Sequence, residues 1–457
     1  MILPTAGSSL TFPAFSQEVT VYVAAMGGAR LASKSPLHCV RKSTRPESVS
    51  RVYDTTTYQK IDGFGPSFLE AGPISLENLD VSAQEASLRA VFDALQGVGF
   101  SAMKTVVGAT DCKSVSSCYT YEDDPGDRKL LNFSIAGDLE PTGSIPYIKR
   151  ARQHGNFVLK SPMNYPSDGM LFDMPMNQSV NLRSFLALTR HYLCNLRANE
   201  RNGILIDFLS PSNGPVSYTK IPADKIRDLV RDYAGPLIAK EDVGTRMQVC
   251  DSGKRGAPKG APINLCGPLA RKHVGAISYC GYGFKEYGKI ETLRRRYLDL
   301  AIRITEADNS GASNNTSRSQ PLRHYDHEDG DVWGSQILSD LELGACTWNY
   351  WRIILDQRRG PYLLPKSHGD YPDNLLHLVA FISRRTKHVV YPGLYYHLAY
   401  FSKSVGCGIY GVWTEGGVGG LWCMAFQSSA VGLAAELSNS QTRQINTELR
   451  WRGKPYR

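Results

Sequence analysis

The 457-residue chain lacks any apolar stretch near the ~18 residues that a membrane-spanning helix needs. Membrane contact is therefore expected to be peripheral at most, and the chain is expected to be soluble. No basic segment leads into an apolar one near the start, so no secretory signal peptide is expected. No self-similarity recurs at a period of roughly 20–50 residues, which excludes a solenoid, and no low-complexity tail is present. The ten cysteines show neither CxxC nor Cys/His spacing, so no metal centre is expected. Cys112 and Cys118, the closest pair, stand equally as a local disulfide or as two free thiols. Lys and Arg outnumber Asp and Glu by 52 to 43, a formal net charge of +9. The excess is diffuse, however, and no basic stripe alternates with stacking aromatics. Runs such as Arg294-Arg295-Arg296 and Arg384-Arg385 read as solvated faces, and a nucleic-acid partner is not expected.

What is present is ordinary for a globular enzyme-sized chain: 42% hydrophobic and 21% charged residues, with 42 Gly and 25 Pro that suit many short loops. The length predicts a large domain with an accessory module. Apolar helices alternate with short apolar runs. Helical spacing covers 84–95, 145–153, 181–197, 224–238, 289–297 and 333–343; strand-like runs cover 100–107, 157–160, 204–209, 246–249, 276–279, 301–305 and 345–355. Such alternation implies βαβ units and a parallel sheet, and about eight units over ~320 residues fit a (β/α)8 TIM barrel. From Lys387 the pattern changes to short strands at 394–400, 409–413, 422–426 and 449–451, joined by an early strand at Val19–Val23. The predicted organisation is an unclassified leader at 1–17, an N-terminal part of a β-domain at 18–57, the barrel at 58–386 and the rest of the β-domain at 387–457. Sequons at Asn132, Asn177 and Asn314 matter only in a secreted chain.

In a (β/α)8 barrel the chemistry sits where the strands end at their C-termini. Asp111, the Ser161-Pro162-Met163 run, Asn213-Gly214-Pro215, Tyr282 and Glu306 follow predicted strands, and Trp348 and Trp351 lie on the last one. Glu306 closes an apolar strand and reads either as a catalytic carboxylate or as a surface or N-cap acid. The two tryptophans read either as faces for a sugar ring or as core packing.

Several segments, taken in order, resemble the motif series of glycoside hydrolase family 30, which contains glucosylceramidases and related β-glycosidases. They are YQKIDGFG at 58–65, SPMNYPSDGML at 161–171, LSPSNGP at 209–215, ITE at 304–306 and ACTWNYWRIILDQRRGP at 345–361. YYHLAYFSK at 395–403 and WCMAF at 422–426 complete the series. The resemblance runs from about Glu18 to Arg452. It implies a TIM barrel with an antiparallel β-sandwich built from both chain ends. It also implies a retaining double displacement, a β-glucoside or glycosphingolipid substrate and no cofactor. The nucleophile would be Glu306, with Asp111, Asn213, Tyr282, Trp348 and Trp351 binding substrate.

The same resemblance marks departures. The acid/base Glu expected between Asn213 and Pro215 is Gly214. A His is Cys280, a Trp is Gly169, and an Arg on the second strand is Lys104, which lacks the planar two-pronged contact of a guanidinium. General acid catalysis contributes roughly 10²–10⁴-fold. The expected function is therefore a glucosylceramidase-like retaining β-glycosidase with impaired catalysis. The rival is a non-catalytic relative that binds sugar or glycolipid.

Overall fold

The computed structural model describes residues 2–4, 18–24, 29–38, 46–108, 119–171, 179–215, 220–282, 286–308, 327–357, 378–416, 420–428, 432–441, 443–452 and 454–456. Contacts divide the chain into two units, 1–64 with 322–346 and 391–457, and 65–321 with 347–390.

Eight strands form one sheet: β1 Gly63–Gly65, β2 Ala102–Lys104, β3 Val158–Pro162, β4 Phe208–Ser210, β5 Arg246–Gly253, β6 Val274–Cys280, β7 Ala301–Glu306 and β8 Ala345–Asn349. Their order is β1-β8-β7-β6-β5-β4-β3-β2. Every ladder from β2 to β7 is parallel. The seam beside β2 is closed by a parallel bridge between Ser67 and Lys104, where the Phe68 amide donates to the Lys104 carbonyl at 2.6 Å. This is the expected TIM barrel. Helices alternate with the strands, among them Val81–Phe92, Ser144–Arg152, Phe185–Arg201 and Tyr287–Arg296. The Asp80 carboxylate caps the first, accepting from the Ala83 amide at 2.8 Å. In Phe185–Arg201 the buried Leu188, Tyr192, Asn195 and Asn199 recur at helical spacing and form one buried face.

Three barrel strands, β2, β4 and β8, are shorter than the apolar runs predict, while β3, β5, β6 and β7 are longer. The strand expected over 204–209 is regular only at Phe208–Ser210, and Leu205 is exposed. The run 345–355 splits into β8 and a separate strand, Ile354–Asp356, which joins a small three-stranded sheet.

Both chain ends contribute to a second sheet of nine strands. It is antiparallel apart from the pairing of Thr447–Trp451 with Ser48–Lys60, which is parallel. One cluster joins Val19 to Val52, Val412, Ala425, Leu433 and Leu449. Val19 and Val52 lie far apart in the strand order, so the sheet folds back over its own apolar face as a sandwich does.

Two expectations need correction. Leu394–Tyr400 is not a strand; it lies in the helix Gly393–Ser404, where Leu394, Leu398 and Phe401 are buried at helical spacing. Its aromatic-rich composition mimics a strand, but the period is 3.6. Residues 34–51, whose Ser, Pro, Lys and Arg read as loop in the sequence, are not all loop: Ala32–His38 and Ser48–Lys60 are strands. The inward positions of the second begin Ser48, Ser50, Val52, so two hydroxyls conceal the alternation.

Candidate active site

Glu306 is the last residue of β7, and only 7% of it is exposed. Three side chains from other strand ends hold its carboxylate. The Tyr282 hydroxyl, just past β6, donates to Oε1 at 2.7 Å. The Lys104 ammonium, at the end of β2, donates to Oε2. The Asn213 amide, after β4, reaches Oε2 at 3.4 Å, while its Oδ1 accepts from Lys104 Nζ at 3.0 Å. Lys104 is fully enclosed, with Nζ 4.1 Å from the centre of the Trp351 ring. A sequence in which each strand ends on one polar residue thus delivers four of them to a single point, because the strands of a barrel end at a common rim.

Burial pushes the Glu306 carboxyl up. The Lys104 charge and hydrogen bond, the Tyr282 hydroxyl and the Lys160 charge together outweigh it, and the net is below the ordinary value of 4.5. The carboxylate is therefore ionised at neutral pH. The Tyr282 hydroxyl is held well above 10, first by burial and then by the charges of Asp308 and Glu306, so it remains a donor.

Beneath this group lies a polar layer that the sequence reading did not single out. Thr305 Oγ1 donates to Asp251 Oδ1, and the Lys160 ammonium donates to the Thr305 carbonyl. Lys160 is fully buried, and burial followed by the nearby Lys104 charge pushes it well below 10.5. Cys250 and Asp251 both take positive φ, 98° and 43°. Two such residues in succession carry backbone strain, which collects at functional sites. The signal available in the sequence was a charged residue closing an apolar run, as in Phe157–Lys160 and Val249–Asp251. Farther out, Arg352 and Asp308 form a buried ion pair at 2.6 Å.

Gly214 has φ +60°, and its amide donates to the Asp251 carbonyl at 3.2 Å. The turn is thus left-handed where the resemblance expects the acid/base. Placing Ala there is expected to cost about 1–2 kcal/mol, and Asn, which tolerates this conformation, less. Thermal denaturation of the two variants measures the difference; equal losses would mean that the left-handed turn does not set the cost. Cys280 is buried and its Sγ lies 3.4 Å from the Asp251 carbonyl oxygen. Burial first, and then Glu306 and Asp251, push its thiol well above 9. A Cβ on Gly169 would stand 2.8 Å from Pro125 Cα, so the place of the expected tryptophan is closed by backbone.

Trp348 is fully buried and stacks on Tyr350 at 6.4 Å between ring centres. Trp351 is 4% exposed and packs with Leu69, Val106, Leu355 and Phe381. Neither indole presents an open face: Trp348 is fully buried against Tyr350, and the Lys104 ammonium covers the Trp351 ring. Asp111, Cys112 and Cys118 lie outside the described residues. Cys194, Cys250, Cys266, Cys280 and Cys423 are free thiols, and no metal-ligating cluster occurs among the described residues. No described helix is long and apolar enough to cross a membrane.

A family model for the glycosyl hydrolase family 30 TIM-barrel domain matches residues 61–172 and 198–405. Putative glucosylceramidase 2 of Caenorhabditis elegans is 23% identical over 370 residues, 76% of this chain and 69% of that protein. The lysosomal acid glucosylceramidase of Mus musculus is 22% identical over 374 residues, 76% and 68% of the two. Among solved structures, SrfJ from Salmonella typhimurium superposes with a TM-score of 0.85 at 15% identity, covering 96% of both chains. An endo-β1,6-glucanase gives 0.82 at 18% identity, also over 96% of both. With its barrel, its strand-end carboxylate and a family match across most of its length, the chain belongs to glycosyl hydrolase family 30.

Proposed function

We propose that this chain is a glucosylceramidase-like retaining β-glycosidase that acts on β-glucosides, glycosphingolipids included, with Glu306 as nucleophile and with impaired catalysis on unactivated substrates. One observation carries this reading: an ionised carboxylate at the end of β7, oriented through both oxygens by Tyr282, Lys104 and Asn213. A nucleophile must be ionised, fixed and adjacent to the sugar's anomeric carbon. Tyr282 and Asn213 orient Glu306, and Lys104 keeps it charged. Attack forms a glycosyl ester on Glu306, and a second displacement releases the sugar with its configuration retained. The departures at Gly214, Gly169 and Cys280 support the impairment.

The alternative is a non-catalytic sugar- or glycolipid-binding relative. Its support is the closed space at Gly169 and the enclosure of both tryptophans. A 2-deoxy-2-fluoro β-glucoside with a dinitrophenolate leaving group separates the two, since it needs no proton donor to form the ester. The expected result is a covalent adduct that peptide mapping places on Glu306. An adduct elsewhere overturns the nucleophile assignment, and no adduct favours the binding-only alternative.

A further inference from the structure

We propose, resting on the nucleophile assignment above, that the site works on β-glycosides whose aglycone departs as a stable anion, a phenolate or a carboxylate. We further propose that it passes the sugar to a carboxylate acceptor in preference to water.

The first part follows from the acidic groups that surround Glu306 among the described residues. Gly214, beside the Asn213 that touches the nucleophile, has no side chain to offer. The Tyr282 hydroxyl is committed to Glu306 itself. The Cys280 thiol is buried against the Asp251 carbonyl. Asp251 is fully enclosed, its carboxylate accepting from Thr305. Asp308 is locked to Arg352 in a buried ion pair. None of these groups is placed to hand a proton to an aglycone oxygen. The leaving group must then carry its own negative charge away. Phenolates and carboxylates do so readily, and the alkoxide of an aliphatic alcohol does not.

The second part follows from Lys104. In the free protein its enclosed ammonium is balanced by the Glu306 carboxylate. When Glu306 becomes an ester, that negative charge is gone and the cation remains. A buried charge without its partner is unfavourable, and it attracts an anion into the site. A carboxylate acceptor restores the balance, and it needs no general base because it arrives deprotonated. Water needs both a base and a way to lose its proton.

The sequence of bonds is closed without any proton transfer. A Glu306 oxygen forms a bond to the anomeric carbon; the bond from that carbon to the aglycone oxygen breaks, and its electron pair leaves with the phenolate or carboxylate. An acceptor carboxylate oxygen then bonds to the anomeric carbon, the ester bond to Glu306 breaks, and the pair returns to Glu306. The net reaction exchanges one acidic aglycone for another with retained configuration.

The test uses the full chain with three donors, dinitrophenyl β-glucoside, 1-O-benzoyl-β-glucose and methyl β-glucoside, each in buffer with acetate or with methanol at equal concentration. The expected result is turnover of the first two at least about 10²-fold faster than the third, the order of effect that a missing general acid leaves. Acetate is expected to accelerate turnover and to divert the product from glucose to 1-O-acetyl-β-glucose, while methanol does neither. Methyl β-glucoside cleaved as fast as the activated donors overturns the first part, because a proton donor must then be present. An adduct on Glu306 from the fluorinated probe, together with no effect of acetate on rate or product, overturns the second part and leaves the nucleophile standing. Absence of the adduct instead removes the nucleophile assignment on which both parts rest.

Discussion

Glu306→Gln is expected to lower turnover of dinitrophenyl β-glucoside by on the order of 10⁴-fold or more, the scale seen when a covalent nucleophile is removed and only binding and electrostatics remain. The amide is nearly isosteric and keeps an oxygen for the Tyr282 hydroxyl. It cannot form the glycosyl ester. It also leaves the enclosed Lys104 ammonium without its counter-charge, so some loss of stability accompanies the loss of activity, with breakage of a buried pair costing up to about 3–5 kcal/mol. A fall in turnover alone therefore does not identify the nucleophile. Glu306→Gly with added azide does. A small anion entering the space of the missing carboxylate attacks the anomeric carbon from that side, and the product is α-glucosyl azide. A β-configured product, or no product from a folded variant, would show that another residue forms the bond to the sugar.

The parts of this molecule that could be read from the sequence are those in which one local pattern decides the outcome. Strand-then-helix alternation marked the barrel, because both faces of a barrel strand are covered and leave short, mostly apolar runs such as Ala276 to Tyr279. The polar residue that closes each run marked Glu306, Asn213 and Tyr282. Patterns failed where the chemistry of one position misrepresents its surroundings. Ser48 and Ser50 face inward as hydroxyls, and the strand they belong to disappears into an apparent loop. Gly432–Asn439, with its consecutive alanines, carries almost no strand signal yet pairs along its whole length with Leu421–Ser428. The tryptophans illustrate a different limit. Spacing places Trp348 and Trp351 at the end of β8 but says nothing of which face is open, and that depends on packing against Tyr350 and against Lys104 from a distant strand. Lys160 and Asp251 were visible as charges inside apolar runs. Their joint support of Thr305, the residue before the nucleophile, required the fold.

Lys104→Met is expected to move the acid limb of the activity profile to higher pH and to reduce turnover at neutral pH, and Lys104→Arg is expected to leave the limb near its original place. In the intact protein the Glu306 carboxyl is below 4.5 because the Lys104 charge and hydrogen bond, assisted by Tyr282 and Lys160, outweigh the burial that pushes it up. With Met the burial remains and the largest opposing contribution is gone, so the carboxyl rises and a growing share of Glu306 is protonated as pH falls towards the working range. The sign for stability is the same. A carboxyl held low in the folded chain adds stability above its unfolded value and loses it as pH falls through the folded one. Lys104→Met removes that contribution, and the melting temperature should fall most at neutral pH, where the unpaired carboxylate is least favourable, and least in acid. The buried pair sets the ceiling of the loss at about 3–5 kcal/mol. Arg keeps the charge beside Glu306 at the cost of fitting a larger planar group over Trp351, so its effect should appear in melting temperature more than in the position of the limb. Unchanged acid limbs in both variants would show that Lys104 does not govern the ionisation of Glu306. An upward shift in Met alone assigns that role to the charge, since both substitutions disturb packing against the Trp351 ring and only one removes the cation.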